Sequence, residues 1–203
     1  MSQIVLPLTL GRSADSLRIV TGNANRAAVD ALAEPAGWPF RTAILAGPPR
    51  SGRSLLGRWF EQTGGGAFVD DADRLDETEL FHRWNRAQEE GETLLLAGPA
   101  SGWTIALPDL RSRLGAALHL EIGTPDDDML ASLIEAHAQQ RGLALGEGAL
   151  TYLVPRATRS FAAIEKLVEE IDRLTLERKV PATLAIWRAA LDAVEGPEQA
   201  SLL

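Results

Sequence analysis

The chain has 203 residues, no cysteine, and 28 acidic against 20 basic side chains, a formal net charge of −8. That length buries a real core, and the lack of cysteine excludes a disulfide framework or thiolate metal site, so a reducing, cytoplasmic setting is expected. No apolar run reaches the roughly 20 residues of a membrane span, no leader pattern is read at the start, and the acidic balance argues against a dedicated nucleic-acid binder. Of the basic residues 18 are Arg, and only Lys166 and Lys179 are Lys, a skew that reads as coding bias.

Met1–Leu10 is short, apolar and interrupted by Pro7. From Arg12 to Glu34 the pattern has helical spacing (Ala27, Ala28, Ala31, Leu32) and ends at Pro35-Ala-Gly37. Four apolar runs follow, at 42–46, 67–69, 93–97 and 118–122, each stopped by Gly or Asp. Runs of that length with such stops predict buried parallel strands. Helices are predicted between them over 54–62 and 77–90, and the alternation gives an α/β sheet.

After Gly123 the character changes. Thr124, Pro125 and the acids Asp126, Asp127 and Asp128 predict a helix start: a cap, Pro at the first position, and negative charge on the positive end. That helix should reach about Arg141, with further helices over 146–156, 159–179 and 183–194. The expected organisation is a tail over 1–10, an α/β core over 11–123, an all-α subdomain over 124–195, and a frayed tail over 196–203.

The predicted strand at 42–46 runs into Gly47-Pro48-Pro-Arg50-Ser51-Gly52-Arg53-Ser54 and a helix beginning near Leu55. This is the spacing of a Walker A phosphate loop, G-x-x-x-x-G-K-[ST], with Arg53 in the Lys place. Backbone amides of such a loop cradle phosphates, the cation reaches the β- and γ-phosphates, and the Ser54 hydroxyl would ligate Mg²⁺. Arg keeps the charge as a planar fork rather than a point. The plain alternative is a Gly/Pro turn between strand and helix. Ala67-Phe-Val-Asp70-Asp71 is a Walker B pattern, in which Asp70 would hold Mg²⁺ and Asp71 position water. The alternative there is a helix cap.

With these motifs the chain resembles the AAA+ ATPases of the DnaA clade, and within it the Hda-type DnaA regulatory inactivators. Gln3-Ile4-Val5-Leu6-Pro7-Leu8 is similar to the family's Q-L-x-L-P-L peptide, which engages the DNA polymerase sliding clamp. Leu107-Pro108-Asp109-Leu110-Arg111-Ser112-Arg113-Leu114 is similar to its L-P-D-L-x-S-R-L box, whose last Arg is an arginine finger. Val20–Asn25 resembles the stretch that packs on adenine. The resemblance implies a P-loop core with a short parallel sheet and a helical lid, binding ADP or ATP with Mg²⁺.

Only 16 residues separate Arg53 from Asp70, so the family's second strand and its helix are expected to be missing. At the sensor 1 position only Ser101 can stand in, and at sensor 2 the nearest Arg is Arg159. Each transferred residue keeps a plain alternative: Arg113 as a surface Arg, Asn25 as a turn cap, Arg159 as a helix-start residue.

The resemblance implies a regulatory adaptor that docks on the sliding clamp through Gln3, Ile4, Leu6, Pro7 and Leu8. Arg113 would be offered in trans to ATP held by DnaA, promoting its hydrolysis, with little intrinsic ATPase. No sequence-specific DNA binding is expected, since the chain stops soon after the lid, and no membrane contact, since no apolar run is long enough; a homodimer is left open. The alternatives are a self-contained P-loop ATPase of the helicase-loader type acting on nucleic acid, and an inert module for which nucleotide is a folding ligand. For the tail, the alternative is an edge strand at Ile4–Leu8.

Overall fold

The computed structural model of the chain describes residues 19–196. The tail Gln3–Leu8 and its proposed role lie outside those residues. Four parallel strands form one sheet in the order β2-β3-β1-β4: β1 is Thr42–Gly47, β2 Ala67–Val69, β3 Leu94–Pro99 and β4 Leu118–Glu121. Thr42 lies opposite Leu94, Ala43 opposite Leu118, and Ala67 opposite Leu94. β1 and β3 are the inner strands, which is why Thr42–Ile44 and Leu94–Leu96 read as continuous apolar or β-branched runs buried on both faces. Among the described residues the sheet ends at β2. No strand lies between β1 and β2 in the chain, as the short spacing from Arg53 to Asp70 predicts.

Three corrections concern helices. Of the predicted helix over 12–34, the described residues are helical only from Arg26, as α1 (Arg26–Ala33). Val20–Asn25 is instead a turn: Asn25 Oδ1 accepts from Gly22 N at 2.9 Å and Asn25 Nδ2 donates to Val20 O at 2.9 Å. An Asn side chain competing for nearby backbone groups is a standard way to stop helix propagation. Beyond α2 (Arg53–Gln62) and α3 (Glu77–Glu90) there is a further short helix, α4 (Pro108–Gly115). It starts on Pro, which suits the first helical position, and buries Leu110 and Leu114, one turn apart. Burying each Leu contributes roughly 1.5–3 kcal/mol.

α3 is framed by its own sequence. The Asp76 carboxylate accepts from Thr78 N and Glu79 N, and Gly91, at φ 70°, closes the other end in the left-handed conformation. Leu80, Trp84 and Ala87 then face a core of Ile44, Val69, Leu94, Leu96, Leu110 and Leu114, with Trp103, Ile105 and Leu107 packed on it.

From Thr124 the chain forms a separate compact unit of helices. These are α5 (Asp127–Gln140), α6 (Ala149–Leu153), α7 (Phe161–Arg178) and α8 (Leu184–Glu195). α5 begins two residues later than predicted, because Asp126 rather than Thr124 is the cap: its side chain accepts from Met129 N at 2.9 Å. α7 buries Phe161, Ile164, Leu167, Val168, Ile171 and Leu174, a 3.6-residue stripe. No helix among the described residues is long and apolar enough to cross a membrane.

Candidate functional site

Because all four strands are parallel, the segments that follow β1, β2 and β3 emerge at one edge of the sheet, the edge where open α/β sheets bind ligands. After β1 the chain makes the Gly47–Ser54 loop. Arg50 and Gly52 both take left-handed conformations, φ 64° and 88°, and Ser51 N donates to Pro48 O at 3.3 Å. Such handed alternation turns successive amides toward one concavity. The first bond into α2 runs from Leu56 N to Gly52 O, so the amides of Arg53, Ser54 and Leu55 are the open donors of a helix start.

Two side-chain atoms in this loop are buried without a hydrogen-bond partner among the described residues: Ser51 Oγ and Arg53 Nη1. A buried polar group left unpaired costs about 1–3 kcal/mol, and such groups call for an explanation. An anion in the loop supplies one for both donors, so the residues present fit a nucleotide phosphate. Gly47 is fixed by packing: a Cβ there would stand 2.8 Å from Ser51 Oγ and 3.0 Å from Ile122 Cβ. At Gly52 a Cβ would meet nothing within 4 Å, and the left-handed φ is what demands glycine.

After β2 come the two acids. Asp70 is exposed, and its Oδ1 accepts from Asp71 N at 3.1 Å. Asp71 takes φ 44° and faces Arg74, 3.6 Å between Oδ2 and Nη1. Ser54, in the first turn of α2, and Asp70 are the donors that would share Mg²⁺ with phosphate oxygens. Mg²⁺ is commonly held by one or two side chains plus substrate phosphates. After β3, Gly98 lies beneath the Trp103 indole, 2.7 Å from a would-be Cβ. Trp103 thus covers the strand end where a polar sensor 1 is expected, and Ser101 stands exposed in the following bend.

The remaining predicted residues are engaged locally. The Asn25 amide is spent on its own turn, so its contribution to a base would run through the shape of Val20–Asn25. Arg159 Nη2 pairs with Asp127 Oδ1 at 2.7 Å, within the helical unit.

Arg113 has the most developed surroundings. From the last turn of α4 its guanidinium lies 4.7 Å from the Phe81 ring centroid and 4.4 Å from that of Trp84, and Nη1 donates to Asn85 Oδ1 at 2.7 Å. Phe81, Trp84 and Asn85, at i, i+3 and i+4, share one face of α3. One turn earlier on that face, Glu77 accepts from Ala106 N at 2.8 Å and Leu107 N at 2.6 Å, just ahead of α4. The sequence alone gives no role to Glu77, Phe81 or Asn85, and reads Trp84 and Trp103 as core or interface filler, which their packing agrees with. The signal available for four of them was the helical stripe with an acid and an amide among aromatics.

A loop of phosphate-loop spacing after the first strand of a parallel sheet, an acid pair after the second and an appended helical unit make up a AAA+ fold. Its backbone agrees with domain III of the replication initiation protein DnaA from Thermotoga maritima, with a TM-score of 0.72 over 88% of this chain and 95% of that one at 16% identity. In sequence it is 27% identical over 122 residues to an uncharacterized protein of Haemophilus influenzae, a match covering 58% of this chain and 53% of that one. It is 26% identical over 134 residues to the chromosomal replication initiator protein DnaA of Thermus thermophilus, covering 65% of this chain and 30% of that one. The chain therefore spans about half the length of the first relative and less than a third of the second. Residues 126–191 match the lid domain of Hda. The chain is thus similar to AAA+ proteins of the Hda/DnaA clade.

Proposed function

We propose that the chain is a regulator of replication initiation that binds adenine nucleotide in its own phosphate loop and offers Arg113 to ATP held by DnaA. The observation that carries this reading is the placement of Arg113. It sits at the end of α4 within a box similar to the family's finger box, its cation held on an aromatic face. An arginine finger stabilises charge developing on the transferred phosphoryl group of a neighbouring site, so it acts on a partner rather than on its own nucleotide.

For the chain's own nucleotide, the amides of Arg53, Ser54 and Leu55 with Ser51 Oγ and Arg53 would hold phosphates. Ser54 and Asp70 would hold Mg²⁺, whose bound chemistry is charge neutralisation of phosphate oxygens. Hydrolysis in this site is disfavoured: Asp71 is paired with Arg74, and Trp103 covers the sensor 1 position. Gln3–Leu8 is the proposed clamp-docking segment, with Leu6 and Leu8 as apolar anchors, Gln3 as the polar one, and Pro7 limiting the entropy lost on docking.

One assay tests the reading: ATP turnover by the chain alone, by DnaA alone, and by both together with sliding clamp loaded on DNA. Turnover raised only in the full mixture supports the regulator. Strong turnover by the chain alone supports a self-contained ATPase, and no rise in any mixture supports an inert module.

A further inference from the structure

We infer that Glu77 is a positioning residue for Arg113. Its carboxylate bridges two backbone amides with both oxygens, Oε1 from Ala106 N at 2.8 Å and Oε2 from Leu107 N at 2.6 Å. Leu107 is the cap position of α4, and its own side chain offers no cap. The Asp76 cap of α3 is already committed to Thr78 and Glu79. Glu77 therefore ties the cap residue of α4 and the residue before it to a neighbouring helix, with negative charge beside the positive end of the α4 dipole. Hydrogen bonds to an ionised acceptor are about twice as strong as neutral ones.

The consequence follows from helix geometry. Arg113 lies six residues along an eight-residue helix that is held at two points, both on α3: Glu77 at the start, and Phe81, Trp84 and Asn85 at the Arg113 end. Glu77 and Asn85 stand eight residues apart on α3, close to 12 Å at a rise of about 1.5 Å per residue. One rigid helix thus fixes both ends of the other. Releasing Glu77 removes the hydrogen bonds that fix residues 106–107, leaving only apolar packing there, and lets α4 rotate or slide about its buried leucines, which displaces the guanidinium. The part of this inference that concerns hydrolysis rests on the reading of Arg113 as a finger; the tether itself does not.

The experiment uses the full chain with Glu77→Ala, Glu77→Gln and Glu77→Asp. Two readouts are independent of DnaA: hydrogen exchange of the Ala106 and Leu107 amides, and the NMR shift of the Arg113 side chain, which carries ring currents from Phe81 and Trp84. In Glu77→Ala both amides should exchange about tenfold faster or more, and the Arg113 signal should move toward the solvent-exposed value. Glu77→Gln, which can accept with only one oxygen, should fall between Ala and wild type. The third readout is DnaA ATP hydrolysis against chain concentration: the plateau rate should fall about tenfold with little change in the half-saturating concentration. If wild type gives no stimulation, the functional reading fails while the first two readouts still judge the tether. Unchanged exchange and an unchanged Arg113 shift in Glu77→Ala overturn the tether. Altered exchange with an unaltered plateau overturns its link to catalysis. Should the Ala variant not fold, Gln and Asp carry the same comparisons.

Discussion

Arg113 donates to Asn85 Oδ1 across 28 residues of sequence, at 2.7 Å, while its guanidinium plane covers Phe81 and Trp84. The guanidinium is thereby kept at one place, and under the proposed function that is where a partner's phosphates would meet it. A neutral amide acceptor and two ring faces could be exchanged for phosphate oxygens, which as anions bind a guanidinium more strongly.

Arg113→Ala should fold and bind nucleotide as wild type does, with the α/β core less stable by about 1–2 kcal/mol for the lost ring contacts and hydrogen bond. Stimulation of DnaA hydrolysis should vanish. Normal stimulation in the clamp-loaded assay would make Arg113 a surface residue.

Arg53→Met separates two effects that usually travel together. Removing a buried donor that has no partner in the free chain should raise its melting temperature slightly, while ADP affinity falls by about tenfold or more with the lost charge. Calorimetry and thermal melts read both. A variant that melts lower and binds ADP normally would mean that Arg53 is structural.

Gly52→Val should abolish ADP binding because a β-branched residue cannot hold φ 88° without a cost of about 1–2 kcal/mol, and the loop would rearrange. Gly47→Ala should weaken binding, for the different reason that its Cβ would crowd Ser51 Oγ and Ile122 Cβ. Retained ADP affinity in both variants would refute the phosphate loop.

Deletion of residues 1–8 should remove clamp binding and leave the melting temperature unchanged. A truncated chain that melts several degrees lower and still binds the clamp would make this segment structural.

In the lid, Glu170 accepts from Arg173 Nε at 2.8 Å and Nη2 at 2.7 Å, and these hydrogen bonds, with the attraction of the guanidinium, hold the carboxyl below its ordinary value. A depressed folded value means the contribution is present above the unfolded Glu value and lost as pH falls through the folded one. The melting-temperature difference between wild type and Glu170→Gln should therefore be positive at neutral pH and shrink to zero in acid. A difference that stays constant into acid would show that the pair contributes nothing through ionisation.

The strands were legible because each apolar run is short and ends near a Gly or Asp, although β1 takes in Gly47 and β3 runs through Gly98 to Pro99. The phosphate loop was legible because its spacing is local. α4 was not, since eight residues with two inward leucines carry little periodic signal. The helix expected from residue 12 ran too far because alanine spacing says nothing of the Asn25 amide that locks the turn before Arg26. The surroundings of Arg113 were hidden for a different reason. Its partners lie a whole strand and loop earlier, and on α3 they look like the inner face of an ordinary amphipathic helix.

Losing an outer strand usually leaves a hazard, since a bare margin invites foreign chains to join it. Here the margin is β2, only three residues long. Ala67 N is already committed inward, to Thr93 O at 2.8 Å. By strand alternation only the middle residue, Phe68, turns its amide and carbonyl outward. A stranger pairing there would gain about two ladder bonds, too few to offset the entropy of ordering itself. Brevity thus does for this protein what charge or proline does elsewhere, and a shortened AAA+ sheet remains self-limiting instead of seeding fibres.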